Sequence, residues 1–210
     1  MSNETSQERK IDMEDYWVFV DEFRSESDRA AVILGAAKLD LLLYQILRSF
    51  LAPNTTNRDE LLDGDSPLGT FSAKISICHR LGLIDNEFTR ALHLTRKIRN
   101  AFAHEVSGCS LNSGAHRDRV KELVTPLKHM SFFTRLRDQR LEGKDEPSAN
   151  FRTALAIFVA RLETLLNHVD PMDTSKALCI INNAMREMGE AKNPRRPAET
   201  SQQSYLPKQS

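Results

Sequence analysis

The sequence is poor in the residues that mark several classes of protein. It contains three cysteines, Cys78, Cys109 and Cys179, without any CxxC spacing. This predicts a protein without a disulfide framework, located in a reducing, cytoplasmic compartment. Basic and acidic residues both number 29. The resulting zero net charge argues against a positive field over the whole surface that would attract nucleic acid or an anionic membrane. It does not exclude a local basic patch.

A leader segment and a long uninterrupted apolar run are also missing. The first ten residues are polar, so we expect no signal peptide. The longest apolar stretch, residues 30–51, is interrupted by Lys38, Asp40, Gln45 and Arg48. This pattern predicts a buried helix rather than a membrane span. The phosphate-loop, dinucleotide-binding, zinc-protease and serine-hydrolase motifs do not occur, and we expect no cofactor.

One group of potential metal ligands is close in sequence. His104, Cys109 and His116 are all residue types that bind zinc. Their spacing matches no standard structural site, and a fourth ligand is missing. We therefore predict no metal site.

Apolar residues with helical spacing dominate the chain, and no alternating run is long enough to predict a strand. The pattern predicts an all-α helical bundle of about six helices, with an extra C-terminal helix. The predicted helices are 11–24, 29–51, 71–81, 86–104, 119–140 with a break at Pro126, 148–169 and 174–192. The predicted parts of the chain are a polar segment and helix at 1–24, a helical domain at 25–170, and a C-terminal helix with a disordered tail at 171–210.

Local signals predict where some of these helices begin and pack. Residues 25–28, Asp85 and Ser148 offer side-chain oxygens that accept hydrogen bonds from the free N–H groups of a helix start. Gly35, Ala36 and Ala37 form a run of small residues, which allows another helix to approach closely.

The helix predicted at 86–104 carries the segment with the clearest functional pattern, Arg99–His104. Because an α-helix turns about 100° per residue, His93, Arg96, Asn100 and His104 share a face separate from the apolar stripe. Arg99 and His104 are five residues apart and therefore about 140° apart around the helix. They meet only if two copies of the helix pack across a symmetry axis, or if the last turn unwinds.

A structural role for this polar face is the alternative. Such a face is commonly solvated, and an arginine near a helix C-terminus is favoured by the helix dipole. Asp40, inside the apolar run 39–43, is a candidate buried counter-charge for Arg99. In that case Arg99 belongs to a structural ion pair.

Five blocks of the sequence together resemble the MtlR family, named for the mannitol operon repressor. They lie in order over residues 25–105, and they are Ser27–Ala31, Lys38–Asp40, Pro67–Ile75, Leu81–Ile84 and Ile98–His104. The resemblance implies a helical domain with a role in transcriptional repression. The neutral charge favours a regulator that acts through contacts with other proteins. The sequence does not identify these partners, and a second copy of the chain is one possibility.

The last block also resembles the motif of the HEPN superfamily, which is an arginine, a polar residue, three spacers and a histidine. In HEPN ribonucleases the motif resembles a metal-independent active site at a dimer interface. The resemblance implies that His104 transfers protons at the ribose 2′-OH and the leaving oxygen. Arg99 would stabilise the charge of the transition state, and Asn100 would orient the phosphate.

A third interpretation is a helix-turn-helix around Gly82, in which the second helix contacts DNA phosphates. Its candidate contacts are Arg90, His93, Arg96 and Lys97. We expect a non-enzymatic regulator that acts through protein contacts. The alternatives are a HEPN-type endoribonuclease, of the toxin or RNA-processing class, and a direct DNA binder.

Overall fold

The computed structural model describes residues 13–105, 108–141 and 145–191, and these residues form eight α-helices and no strand. The all-α prediction is therefore confirmed for this part of the chain. The helices are α1 (Met13–Ser25), α2 (Asp28–Phe50), α3 (Phe71–Arg80), α4 (Asn86–His104), α5 (Gly114–Val124), α6 (Ser131–Arg140), α7 (Pro147–His168) and α8 (Ser175–Ala191).

The core is built around α2, which packs against α7, α4 and α3. Residues 150–159 of α7 are all buried, so α7 is enclosed on every side along this stretch. Gly35 of α2 is buried at the crossing with α7, where an added Cβ would lie 2.5 Å from Leu155 Cδ1 and 3.1 Å from Phe23 Cζ. The small residue predicted to permit close helix approach does so at this point.

By length and composition α2 is apolar enough to cross a membrane, and half of its most apolar window is buried inside the protein. Its buried residues face α7, α4 and α3 as the central helix of the core. Burial in a protein interior accounts for an apolar helix of this length. The sequence-based interpretation of residues 30–51 as a buried helix agrees with this packing.

The first residue of α2, Asp28, joins three parts of the fold. Its carboxylate accepts hydrogen bonds from Ser148 Oγ at 2.5 Å, Leu111 N at 2.9 Å and Arg152 Nη1 at 3.1 Å. Arg152 also donates to the Glu26 carbonyl at 2.7 Å. Burial by itself raises the pKa of Asp28, but the hydrogen bonds and the charge of Arg152 outweigh burial and hold the pKa below its usual value.

Most predicted helix boundaries agree with the structure to within a few residues. Ser27 and Asp85 cap α2 and α4 as expected, and the predicted break at Pro126 separates α5 from α6. The predicted cap at Ser148 is wrong, because α7 begins at Pro147 and the Ser148 hydroxyl donates to Asp28 instead.

The predicted start of a helix at residue 119 is also wrong, because α5 begins at Gly114. Residues 106–107 lie outside the described residues. His116 lies in the first turn of α5 and is buried, with its ring centroid 4.7 Å from that of Phe102. The first turn of α5 thus lies before the helix that the sequence predicted at 119–140.

The chain separates into two compact units, Met1–Met172 and Asp173–Ser210. In the first unit α1 packs against α7, α2 and α6. The described part of the second unit is α8, a strongly amphipathic helix whose apolar face carries Leu178, Ile181, Met185 and Met188. The disordered tail predicted after residue 192 lies outside the described residues.

The α2–α7 crossing gives a first testable prediction. Gly35→Leu should lower the free energy of unfolding by about 1–3 kcal/mol, because the added side chain overpacks a filled interface. Urea unfolding measures this change, and Ala37→Leu on the exposed side of α2 is the matched control. Equal effects of the two substitutions would contradict the crossing.

A second prediction concerns Asp28 and pH. The unfolded pKa of an aspartate is about 3.9, and the folded pKa of Asp28 is lower. Its contribution to stability is therefore present above pH 3.9 and is lost as the pH falls through the folded pKa. Asp28→Asn should cost about 3 kcal/mol at pH 7, because it removes the charge opposite the buried Arg152.

The cost of Asp28→Asn should shrink when urea unfolding is repeated below the folded pKa of Asp28, where the wild-type carboxyl is also protonated. Asp65→Asn on an exposed loop is the control and should change little at either pH. A cost that stays constant across this pH range would refute the assignment to the ionised Asp28.

Candidate functional site

α4 has one buried side and one exposed side, and the exposed side carries the predicted functional residues. The buried residues are Phe88, Ala91, Leu92, Leu94, Thr95, Ile98 and Phe102. On the other side lies a row of polar residues that we call the α4 stripe: His93, Arg96, Lys97, Asn100 and His104. Lys97 and His104 are exposed, and the other three are partly buried.

The cations on this side of α4 have no acidic partner within the described part of the chain. Among the residues that the structure describes, no carboxylate forms an ion pair with Arg96, Lys97 or Arg99, and the Nε atom of Arg96 is buried without a hydrogen-bond partner. Arg90, one to two turns earlier, differs because it forms an ion pair with Glu122 of α5. The α4 stripe is therefore locally positive in a chain whose net charge is zero.

His93 lies between the cations of the stripe. Burial lowers its pKa, and the positive charges of Arg96 and Lys97 lower it further. The imidazole is therefore neutral at neutral pH, and it offers a hydrogen-bonding group rather than a charge.

The C-terminal end of α4 is held by a residue that the sequence analysis did not single out as functional. The guanidinium of Arg29, the second residue of α2, donates to the carbonyls of Phe102 at 2.8 Å and Glu105 at 2.5 Å. These carbonyls have no partner within the helix, so Arg29 acts as a cap across the α2–α4 contact.

α4 is helical through His104, its last residue. Glu105 N donates to the Ala101 carbonyl at 3.0 Å, as in a regular last turn. The alternative in which the last turn unwinds does not occur in this structure. Arg99 and His104 therefore stay about 140° apart, and one copy of the helix does not bring them together.

The predicted pair of Asp40 with Arg99 is not formed. Asp40 lies 2.8 Å from the Nζ atom of Lys74 on α3, a contact that has ion-pair distance without hydrogen-bond geometry. Lys74 is buried, and its Nζ atom also lies 5.8 Å from the centre of the Tyr44 ring. Asp40 on α2 therefore lies against a cation of α3, and the sequence spacing did not predict this partner.

Two of the three residues considered as zinc ligands meet at a single carboxylate just beyond α4. Cys109 Sγ donates to Glu105 Oε2 at 2.7 Å, and His116 Nε2 lies 3.1 Å from Glu105 Oε1. The hydrogen bond with Glu105 raises the pKa of the Cys109 thiol, and the same bond lowers the pKa of Glu105. Cys109 is therefore a protonated donor at neutral pH and is a poor nucleophile.

The candidate helix-turn-helix consists of α3, the turn at Gly82 and α4. Gly82 has a φ of +75° and ends α3 with a left-handed residue, as its position predicts. The first turn of α4 and its cap carry Glu87 and Asp85. In known helix-turn-helix proteins this end of the second helix contacts base edges, and negative charge there opposes DNA. Of the four proposed contacts, Arg90 is already paired with Glu122.

No family model matches this chain, and no curated protein is significantly similar to it. Among solved structures, the chain aligns with a chain of the X-ray structure of the MtlR–HPr complex from Escherichia coli. The sequence identity is 16% and the TM-score is 0.48, over 71% of this chain and 99% of that chain. These values are too low for the likeness to assign a family or a function.

The capping role of Arg29 is testable. Arg29→Lys keeps the charge but removes the guanidinium, which donates to two carbonyls at once. The substitution should lower the free energy of unfolding by about 2 kcal/mol. Amide hydrogen exchange should accelerate in the last turn of α4 more than in its first turn. Arg24→Lys on the exposed side of α1 is the control. Unchanged exchange near His104 would show that other contacts hold this end.

Proposed function

We propose that this chain is a transcription-regulatory protein of the MtlR type that acts by binding another protein, with the α4 stripe as the docking surface. The observation that carries this proposal is the cationic row on α4 that no described acidic residue neutralises. Unpaired surface charge of one sign steers and orients a partner of the opposite sign. The proposed partner therefore presents an acidic patch.

The size of the stripe favours a protein over a nucleic acid. From His93 to His104 it extends for about 16 Å along the helix. Its permanent charges are Arg96 and Lys97, and Arg99 lies beside it. A typical DNA-binding protein neutralises roughly 6–10 phosphates. The acidic cap and first turn of α4 and the zero net charge also weigh against a polyanion.

Charge reversal tests this proposal. We expect the purified full chain, used as bait in an extract of its own cells, to retain a stoichiometric partner. The double variant Arg96→Glu with Lys97→Glu should lose this partner, while Arg135→Glu on the exposed side of α6 should retain it. Raising the salt concentration should weaken the wild-type complex, because exposed charges are screened.

Retention of the same partner by the α4 double variant would refute the stripe as the docking surface. Circular dichroism and urea unfolding of each variant confirm that it is folded before binding is compared. Lys97 is exposed and Arg96 is partly buried, so Lys97→Glu alone is the variant with the smallest expected effect on stability.

A metal-independent endoribonuclease of the HEPN type is the second candidate. The observation that favours it is that His104 is exposed and that Arg99 has no acidic partner among the described residues. Both groups are thus available to a phosphate and to a ribose 2′-OH. Since a single helix separates them, this function requires a second copy whose α4 faces the first.

RNA cleavage distinguishes the two candidates. Under the binding proposal the purified chain should leave single-stranded RNA intact in the presence of a metal chelator. Cleavage that is abolished by His104→Ala, but not by His129→Ala on an exposed loop, would establish the ribonuclease. Cleavage that both variants retain would indicate a contaminating nuclease.

A further inference from the structure

The apolar side of α8 is open to solvent. All side chains of this helix that the structure describes, at residues 175–188, are exposed. Four large apolar residues at the centre of this side form what we call the α8 seam, and each is 56–65% exposed; they are Leu178, Ile181, Met185 and Met188. A helix of 17 residues is marginally stable in water by itself, and packing of its apolar face supplies most of its stability. A partner that covers the seam therefore stabilises α8.

The spacing of the seam residues is that of a coiled coil. They follow one another at intervals of three, four and three residues, which is the alternation of the first and fourth positions of a heptad. A stripe of this kind inserts its side chains between those of a facing helix with the same spacing. The sequence of α8 itself supplies such a helix.

The charged residues of α8 lie away from the seam. Between residues 175 and 188 they are Lys176, Arg186 and Glu187, and each lies at least about 120° around the helix from the centre of the seam. The positions that border the seam hold small or uncharged residues, namely Ser175, Ala177, Asn182 and Ala184. In coiled coils the charges at these bordering positions select the partner. Two copies of α8 can therefore approach seam to seam without opposing like charges.

We infer that α8 is a self-association element, in which the seams of two copies of this chain pack against each other as a short two-helix coiled coil. Each seam then meets an identical seam across a two-fold axis, so one stretch of sequence provides both halves of the contact. The uncharged border of the seam favours this neutral occupant over an acidic or a basic helix. The inference goes beyond the proposed function and does not depend on which protein binds the α4 stripe.

The size of the seam sets the expected strength of the contact. Burying the seam side chains of two copies removes roughly 500–1,000 Å² of apolar surface from water. Stable interfaces of standard size bury about 1,200–2,000 Å². The dimer should therefore be weak, with a dissociation constant in the micromolar range or above, and it should form in a concentration-dependent manner.

Analytical ultracentrifugation of the full chain over a range of concentrations tests this inference. Two adjacent isoleucines provide a matched pair of variants. Ile181 belongs to the seam and is 56% exposed, whereas Ile180 lies about 100° around the helix from it and is 70% exposed. Both are exposed, so neither substitution disturbs a packed core.

We expect the wild-type chain to dimerise as its concentration rises. Ile181→Glu should raise the dissociation constant at least about tenfold, because each dimer loses two buried isoleucines and gains two opposed charges. Ile180→Glu should change it little. Amide hydrogen exchange in residues 177–188 should slow with increasing concentration in the wild-type chain and should stay fast in Ile181→Glu, since the unpaired helix is marginal.

Three outcomes would overturn the inference. The first is a chain that stays monomeric at every concentration. The second is an equal loss of association in both variants, which would indicate general adhesion of apolar residues. The third is a wild-type oligomeric state that Ile181→Glu retains. If that variant also loses the protein captured by the α4 stripe, the seam belongs to the docking surface for the partner, and the proposed function stands without α8 pairing.

Discussion

The arrangement of this protein depends on two adjacent residues at the start of the central helix. Asp28 binds the start of α7 through Ser148 and Arg152, and Arg29 binds the end of α4 through two backbone carbonyls. Because α2 packs against both α7 and α4, these bonds fix the ends of its two main neighbours. Charged groups that are partly buried at helix ends need such partners, since unsatisfied ones are costly.

The same constraint decides what α4 can do. With Asp85 capping its start and Arg29 its end, α4 is regular throughout, and Arg99 and His104 point in different directions. Asp40, the partner predicted for Arg99, lies at ion-pair distance from Lys74 instead. Arg96, Lys97 and Arg99 have no acidic partner among the residues that the structure describes, although the chain as a whole is neutral. A surface of this kind suits recognition of an acidic partner better than catalysis by one copy.

Local sequence predicted much of the fold because the relevant interactions are local. Helix caps such as Ser27 and Asp85 act within one turn, and Pro126 interrupts a helix wherever it occurs. The predicted helix boundaries were wrong where interactions with residues distant in sequence compete with local ones. Ser148 resembles a cap by sequence but donates to Asp28, 120 residues away. His116 lies in a stretch that resembles a loop, yet its packing against Phe102 accompanies an earlier start of α5.

The sequence by itself determined the helical class, the approximate helix ends and the row of polar residues on α4, because each follows from periodicity along one segment. Only the tertiary structure decided which charges are neutralised. Lys74 rather than Arg99 reaches Asp40, Glu122 reaches Arg90, and Arg29 reaches the end of α4. The reason is geometric, since long side chains find partners across helix contacts whose register is set by the packing of the whole core.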